Sequence, residues 1–429
     1  MTLYARIARA RTFFEKGDFL PILALVIAVQ GTVLVSQSVA ALLLDTAEVG
    51  RIRLFESMIS IGVLIAGFGA PALAIREMAA PEHAERRGEM LRDLLILPVM
   101  GAIMICVVAL AATQFGATWI LPWRDVLFAS TVLLVAVNLV RMASAVAQGL
   151  VIVRHVYIWV IAGSVVAASM QIAGAALGSI SGWITGRLLG EIALLGSMLF
   201  AMRRHFPDIH WHQRLHLGNL FNNMVRATIV NAGLILRMLA DAAPILLMGG
   251  VFGGLGHAAS GDDIGHFGIA TLFLTACLLP LSVMAQRALP LITTARQHGG
   301  SAAIPIFRRH LLLASILIAL TMAAVLTFIS LSNQGRQDQA LWAGAALMLA
   351  VPMKAVASGI GTIMLARGEL KLPVWITLAE LLTILMVFAC SGTTDVVWTA
   401  VLSIIVGSGT SLVSMLVANH ILNKSPYVL

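Results

Sequence analysis

The chain has 429 residues, of which 59% are apolar and only 11% are charged, and its formal net charge is +8. The apolar residues fall into about twelve runs that are each long enough to cross a bilayer, and the polar connections are too short to fold as separate domains. This composition excludes most soluble enzymes and places any function inside the membrane or at its two faces.

The apolar runs predict an all-α polytopic membrane protein. Lipid offers no partner for backbone N–H and C=O groups, so runs of about 20 residues satisfy these groups internally as helices. The predicted spans, in chain order, cover residues 19–43, 53–75, 91–113, 122–150, 153–177, 180–201, 222–250, 264–286, 310–331, 340–365, 371–390 and 395–421.

The positive residues give the orientation of these spans. If the spans alternate, about 20 of the 28 Lys and Arg residues lie on one side of the membrane. Loops rich in Lys and Arg are retained in the cytoplasm, so we expect both termini to be cytoplasmic in a multi-pass protein of the bacterial inner membrane. The basicity is therefore a topology signal, and no nucleic-acid partner is expected.

Two short segments indicate that the chain repeats itself at half its length. Residues 47–50 (Ala-Glu-Val-Gly) open the second span and residues 262–265 (Asp-Asp-Ile-Gly) open the eighth, and the two terminal glycines are 215 positions apart (265 minus 50). An offset of six spans gives a parallel repeat about an axis along the membrane normal. We therefore expect two six-helix bundles, residues 1–210 and 211–429, around a central cavity.

Three segments resemble characteristic regions of the polysaccharide-type flippases, which transport O-antigen and exopolysaccharide units. They belong to the multidrug, oligosaccharidyl-lipid and polysaccharide exporter superfamily. The first segment runs from Glu48 to Ser57 and on to Gly69-Ala70-Pro71 and Arg76, the second from Asp263 to Pro290, and the third from Leu365 to Lys371. The resemblance implies a flippase that moves a polyprenyl-diphosphate-linked oligosaccharide to the outer leaflet by alternating access. It also implies membrane lipid and other polysaccharide assembly proteins as partners.

Several ionisable residues lie within the predicted spans, where a charge at a helix centre costs roughly 2.5–3.5 kcal/mol. Two pairs are spaced four apart on one helical face and can pair: Arg187 with Glu191 in span six, and Arg237 with Asp241 in span seven. The other polar positions are Glu56 in span two, a stripe of Asn138, Arg141, Ser144 and Gln148 in span four, Lys354 in span ten and Glu380 in span eleven.

These residues supply the candidate site. Guanidinium and ammonium groups bind phosphate oxygens, so we expect Arg237, Arg141 and Lys354, together with Asn138, to contact the diphosphate or the glycan. Carboxylates at Asp241, Glu56 and Glu380 are expected to bind a coupling proton or sodium ion. The structural alternative is that the Arg–acid pairs only cancel charge for insertion, and it is favoured for Arg187–Glu191, near an interface.

Two other classes compete with the flippase. A cation-coupled drug or metabolite antiporter of the same superfamily shares the architecture, although cationic drugs favour carboxylates rather than arginines in the cavity. A membrane enzyme would need catalytic residues in a sizeable external loop, and the external loops here are short. We therefore expect no enzyme activity and no cofactor. We also expect no metal site, because the histidines of residues 205–216 match no zinc-binding spacing.

Overall fold

The computed structural model describes residues 19–79, 87–114, 127–150, 152–177, 180–205, 217–250, 259–297, 303–332, 338–366, 369, 371–391 and 395–424. Within these residues the chain forms fourteen α-helices and no strand. They are α1 (Phe19–Leu43), α2 (Thr46–Gly67), α3 (Ala70–Ala79), α4 (Arg87–Gln114), α5 (Leu127–Gly149), α6 (Val153–Ala176), α7 (Ile180–Met202), α8 (Leu217–Met248), α9 (Gly261–Gln297), α10 (Ala303–Ser332), α11 (Asp338–Leu347), α12 (Ala350–Ala366), α13 (Lys371–Cys390) and α14 (Val396–Lys424).

The helices account for the twelve predicted spans. Ten helical stretches in the described part of the chain are long and apolar enough to cross a membrane. The helix α1 and the α2–α3 pair complete the twelve, and α2 is less apolar because Glu48, Arg51, Arg53 and Glu56 lie within it. The predicted multi-pass, all-α architecture is therefore confirmed, although the second span begins at Thr46 rather than at residue 53.

Span two bends where α2 gives way to α3. Phe68 and Gly69 there have φ values of 47° and 80°, the left-handed region that glycine adopts without steric cost and phenylalanine rarely does. The N–H of Phe68 donates to the carbonyl of Ile65, three residues back, at 3.1 Å. A regular α-helix would bond this N–H to the carbonyl of Leu64, four residues back. The Leu64 carbonyl instead accepts a hydrogen bond from Asn231 Nδ2 in α8, at 3.0 Å.

Span ten is also broken, between α11 and α12, but without a left-handed residue at the break. The N–H groups of Met348 and Leu349 each donate to a carbonyl three residues back, at 3.2 and 3.1 Å, which ends the regular helix. The helix resumes at Ala350, so Lys354 stands just over one turn into α12, at the middle of the membrane-crossing segment.

Helices α1–α7 pack together as one bundle and α8–α14 as a second. Trp183 and Leu133 are fully buried in the core of the first bundle, and Phe267 and Leu347 are fully buried in the core of the second. The predicted boundary at residue 210 lies outside the described residues. The two-bundle prediction is confirmed.

The two bundles meet most closely along α2 and α9, the second and eighth spans. Gly50 and Gly265, the two glycines of the predicted repeat, lie against each other at the first turns of these helices. A Cβ atom built on Gly50 would lie 2.6 Å from the carbonyl oxygen of Gly261 and 2.8 Å from the backbone nitrogen of Gly265. Glycine is required here because two backbones touch.

Helix α8 connects the bundles along its length. Near its start Met224 packs against the α3–α4–α5 part of the first bundle, and Asn231 is buried against α2. Further along, Ala243 and Leu247 are fully buried in the core of the second bundle. The helix that carries Arg237 and Asp241 therefore crosses from one bundle to the other.

Candidate functional site

A charged cluster lies inside the second bundle, where α8, α12 and α13 meet. The ammonium group of Lys354 forms an ion pair with Asp241 and lies 3.5 Å from Oε1 of Glu380. Lys354 and Glu380 are buried, whereas the Asp241 side chain is 41% exposed. Asp241 is thus the member of this cluster that water or a ligand reaches first.

The spacing of Arg237 and Asp241 allowed an intrahelical pair, but the structure gives Asp241 a different partner. Its carboxylate bonds Lys354 of α12, and no ion pair of Arg237 is formed within the described residues. Arg237 is partly exposed, one helical turn from Asp241, and its charge acts on Lys354. Its guanidinium is therefore free to bind an anion.

A second cluster lies inside the first bundle, between α2 and α7. Arg187 bonds Glu191 on its own helix, as the spacing predicts, and its Nε also lies 3.4 Å from Oε1 of Glu56. The same oxygen of Glu56 accepts a hydrogen bond from Trp183 Nε1 at 2.9 Å. All three charged side chains are only 6% exposed, so Glu56 is held in a closed site by one hydrogen bond, from Trp183, and by an ion pair with Arg187.

The polar stripe of span four lies on α5, beside the bend of span two. Asn138 is buried, donates to the carbonyl of Leu134 at 3.0 Å, and directs its Oδ1 at Gly67, where a Cβ atom would lie 2.6 Å away. One turn later Arg141 is partly exposed and makes no ion pair with a described residue, although the charges of Glu191 and Arg187 act on it.

The structure therefore separates the deep cations into two kinds. Arg187 and Lys354 are buried and neutralised by carboxylates. Arg141 and Arg237, one in each bundle, are partly exposed and unpaired among the described residues. Each cluster holds one cation and two carboxylates, so Arg141 and Arg237 are the two of these cations that lie outside the ion pairs of the described residues.

One residue of this interior, Arg53, was predicted only as the first residue of span two, with no role in the site. Arg53 lies within α2, where its Nη1 donates to Gln37 of α1 and its Nη2 donates to Thr271 Oγ1 of α9 at 2.9 Å. It therefore joins the two bundles near their closest approach. Asp45 caps α2 by accepting from the N–H of Glu48 at 2.8 Å, and this Asp-x-x-Glu pattern could have placed Arg53 two turns into the helix.

Comparison with known proteins gives similarity in structure but not in sequence. No family model and no curated protein matches the chain. An inward-facing multidrug resistance MATE family transporter of the MOP superfamily superposes with a TM-score of 0.67 at 13% identity, over 95% of this chain and 99% of that one. The chain has the fold of the MATE transporters.

Two further solved structures extend the comparison. The outward-facing conformation of a multidrug resistance MATE family transporter of the MOP superfamily has a TM-score of 0.58 at 15% identity, covering 95% of each chain. The MATE transporter ClbM in complex with Rb⁺ has a TM-score of 0.60 at 13% identity, covering 96% of each chain. The chain thus resembles the inward-facing structure more closely than the outward-facing one.

Proposed function

We propose that this chain is an alternating-access membrane transporter whose substrate carries a phosphate or diphosphate group, and that this substrate is a polyprenyl-diphosphate-linked oligosaccharide. The observation that carries the proposal is the pair Arg141 and Arg237, deep in the spans, partly exposed and unpaired within the described residues. The twelve-span, two-bundle fold supports the transport mechanism.

The energetic argument rests on the cost of a lone guanidinium in the membrane. A charge at the centre of a span costs roughly 2.5–3.5 kcal/mol on an insertion scale, and Arg187 and Lys354 offset this cost with nearby carboxylates. Arg141 and Arg237 form no ion pair with a described residue and are partly exposed, so in this proposal both face a water-filled cavity. A planar guanidinium binds phosphate oxygens in a bidentate manner, which fits a diphosphate better than an organic cation.

Asn138 extends this proposed substrate surface from Arg141 to the bend of span two. Lys354 belongs to it in states in which Asp241 is neutral, because the ammonium group then keeps only Glu380, 3.5 Å away, as a carboxylate partner. Asp241, Glu380 and Glu56 are then the proposed coupling carboxylates. Of these, Asp241 has the most exposed side chain, at 41%. It can therefore exchange a proton, or bind a sodium ion, from a cavity.

The contact of α2 with α9 gives the proposed state of the transporter. With both termini in the cytoplasm, the first turns of α2 and α9 lie at the outer face, so the bundles are closed outside. The higher TM-score against an inward-facing transporter, 0.67 against 0.58, favours the same state. Location in a bacterial inner membrane, and association with polysaccharide assembly proteins, belong to the same proposal.

A cation-coupled antiporter for drugs or metabolites is the second candidate. The specific observation in its favour is the superposition on a multidrug resistance transporter across 95% of the chain. In that case Asp241, rather than the arginines, contacts the substrate.

Reconstitution in proteoliposomes separates the two candidates. The flippase predicts that the protein moves a fluorescent polyprenyl-diphosphate oligosaccharide between leaflets, and that Arg237→Ala and Arg141→Ala abolish this movement while Arg237→Lys retains part of it. Arg203→Ala is the control, since Arg203 is exposed at the end of α7 and stacks on Phe200 at 4.3 Å. Proton-driven efflux of an organic cation, unaffected by Arg237→Ala, would instead establish the antiporter.

A further inference from the structure

A groove on the membrane-facing side of the second bundle lies between α10 and α12. Its volume is about 310 Å³. The side chains of Arg308 and Arg309 line it on the α10 side, and Val356 and Gly359 line it on the α12 side. Pockets that hold small ligands start at about 300 Å³, so the groove accommodates one polar headgroup but not an oligosaccharide.

The positive charge of this groove is uncompensated. Neither α10 nor α12 contains an aspartate or glutamate in its sequence, and neither Arg308 nor Arg309 forms an ion pair with a carboxylate in the described part of the chain. Arg308 is half-buried and Arg309 is exposed. Two adjacent guanidinium groups without an acidic partner favour a ligand that carries a phosphate.

The surroundings of the groove are those of a lipid. α10 is the least buried of the ten candidate spans, with only 17% of its most apolar window covered by the rest of the protein. Leu312, Ile316 and Leu320 continue from the groove along one face of α10 and are 41%, 38% and 65% exposed. A phosphate held by the arginines would therefore have its acyl chains lying on this apolar stripe.

The arginines stand near the start of α10, at the membrane face that the charge bias predicts to be cytoplasmic. Basic pockets between helices at this face bind the headgroups of anionic lipids. We propose that the Arg308–Arg309 groove is a binding site for an anionic phospholipid of the cytoplasmic leaflet. This site is separate from the charged clusters, and it stands whatever substrate the protein transports.

Native mass spectrometry of the purified full-length protein tests this site with three added probes: phosphatidylglycerol, phosphatidylcholine and inorganic pyrophosphate. Each basic residue near an anionic lipid contributes about a fivefold change in affinity, so the double substitution R308A/R309A should weaken phosphatidylglycerol binding about 25-fold. The lysine pair R308K/R309K should keep most of the affinity. Melting temperature checks folding, and no loss is expected because neither arginine pairs with a described carboxylate.

The matched control is R203A/R204A, which removes two adjacent, exposed arginines at the end of α7, on the same predicted side of the membrane. It should leave phosphatidylglycerol binding within about twofold of the unmodified protein, because neither arginine lines the groove and the fivefold contribution applies only to a basic residue near the bound lipid. Equal loss in both double variants, or equal binding of phosphatidylcholine, would overturn the proposal. Pyrophosphate binding as tightly as the lipid would also overturn it, since the groove would then select a free phosphate.

Discussion

Gly50→Ala is expected to open the outer face of the protein, because Gly50 lies where α2 touches α9. The added methyl group would lie 2.6 Å from the carbonyl oxygen of Gly261 and 2.8 Å from the backbone nitrogen of Gly265. Both neighbours are backbone atoms that cannot rotate away, so the two helix ends must separate. Overpacking of this kind costs about 1–3 kcal/mol.

That cost falls on the state in which the two helices touch and not on the state in which they are apart. It therefore shifts the equilibrium toward the outward-open state by about 5–150-fold. Spin labels at Leu42→Cys and Asp262→Cys report the change, since both positions are exposed at the ends of α1 and α9. The native cysteines Cys106, Cys277 and Cys390 are replaced first. Double electron–electron resonance should show a longer distance in Gly50→Ala.

Gly196→Ala is the control, because a Cβ atom at Gly196 in α7 would meet no atom within 4 Å. It adds the same methyl group inside a helix without a clash, so its distance distribution should match that of the unmodified protein. A Gly50→Ala protein that folds normally and keeps the short distance would refute the assignment of this contact as an outer gate.

Three further changes test other contacts by melting temperature or label distance. Lys354→Met leaves the carboxylates of its cluster unpaired and should destabilise the protein by about 3 kcal/mol. This value is at the low end for a broken buried ion pair because Asp241 is partly hydrated. The control Lys354→Arg should keep a melting temperature near that of the unmodified protein. Asn231→Ala removes the hydrogen-bond donor to the Leu64 carbonyl and should lower the free energy of unfolding by about 1–3 kcal/mol. An unchanged melting temperature would contradict the role given to this amide. Arg53→Lys replaces the two separate guanidinium nitrogens that bond Gln37 and Thr271 with one ammonium nitrogen on a shorter side chain, and it should lengthen the same outer label distance. An unaltered distance would show that the Arg53 bridge does not hold the bundles together.

Much of the fold could be predicted from the sequence because membrane helices are set by local composition. The even number of spans and the pseudo-repeat followed from the length of the apolar runs and from the segments ending at Gly50 and Gly265. A local signal of the same kind is the spacing of Gly182, Gly186 and Gly190 at every fourth position of α7, which indicates close helix packing; a Cβ at Gly190 would lie 2.8 Å from the carbonyl oxygen of Ala167 in α6. Each of these signals depends on a few neighbouring residues.

The partners of the charges could not be predicted because they lie on different helices. Spacing identified the Arg187–Glu191 pair, but Glu56 and Trp183 join it from positions far away in sequence. For the same reason, helical spacing paired Asp241 with Arg237, whereas the Asp241 carboxylate bonds Lys354 on another helix. The breaks in spans two and ten lie just before Pro71 and Pro352, residue types that indicate a kink, although the apolar composition continues through both breaks.

The repeat places a cation at equivalent points of the two bundles. Arg141 in span four and Lys354 in span ten are 213 positions apart (354 minus 141), close to the 215 that separate the two glycines. Their surroundings differ, because Asp241 and Glu380 lie on spans seven and eleven, whereas the matching spans one and five contain no acidic residue.

The two bundles therefore carry a cation at matching positions of the repeat, and the acidic residues on neighbouring helices determine whether that cation is neutralised. In the second bundle Lys354 is held by carboxylates that can take up protons. In the first bundle Arg141 has no ion pair with a described residue and can bind an anion. Under the proposed function, the second bundle would supply two of the three coupling carboxylates, Asp241 and Glu380, and Arg141 of the first bundle would bind the substrate. Under the same proposal Arg237 would contact the substrate from α8, the helix that crosses between the bundles.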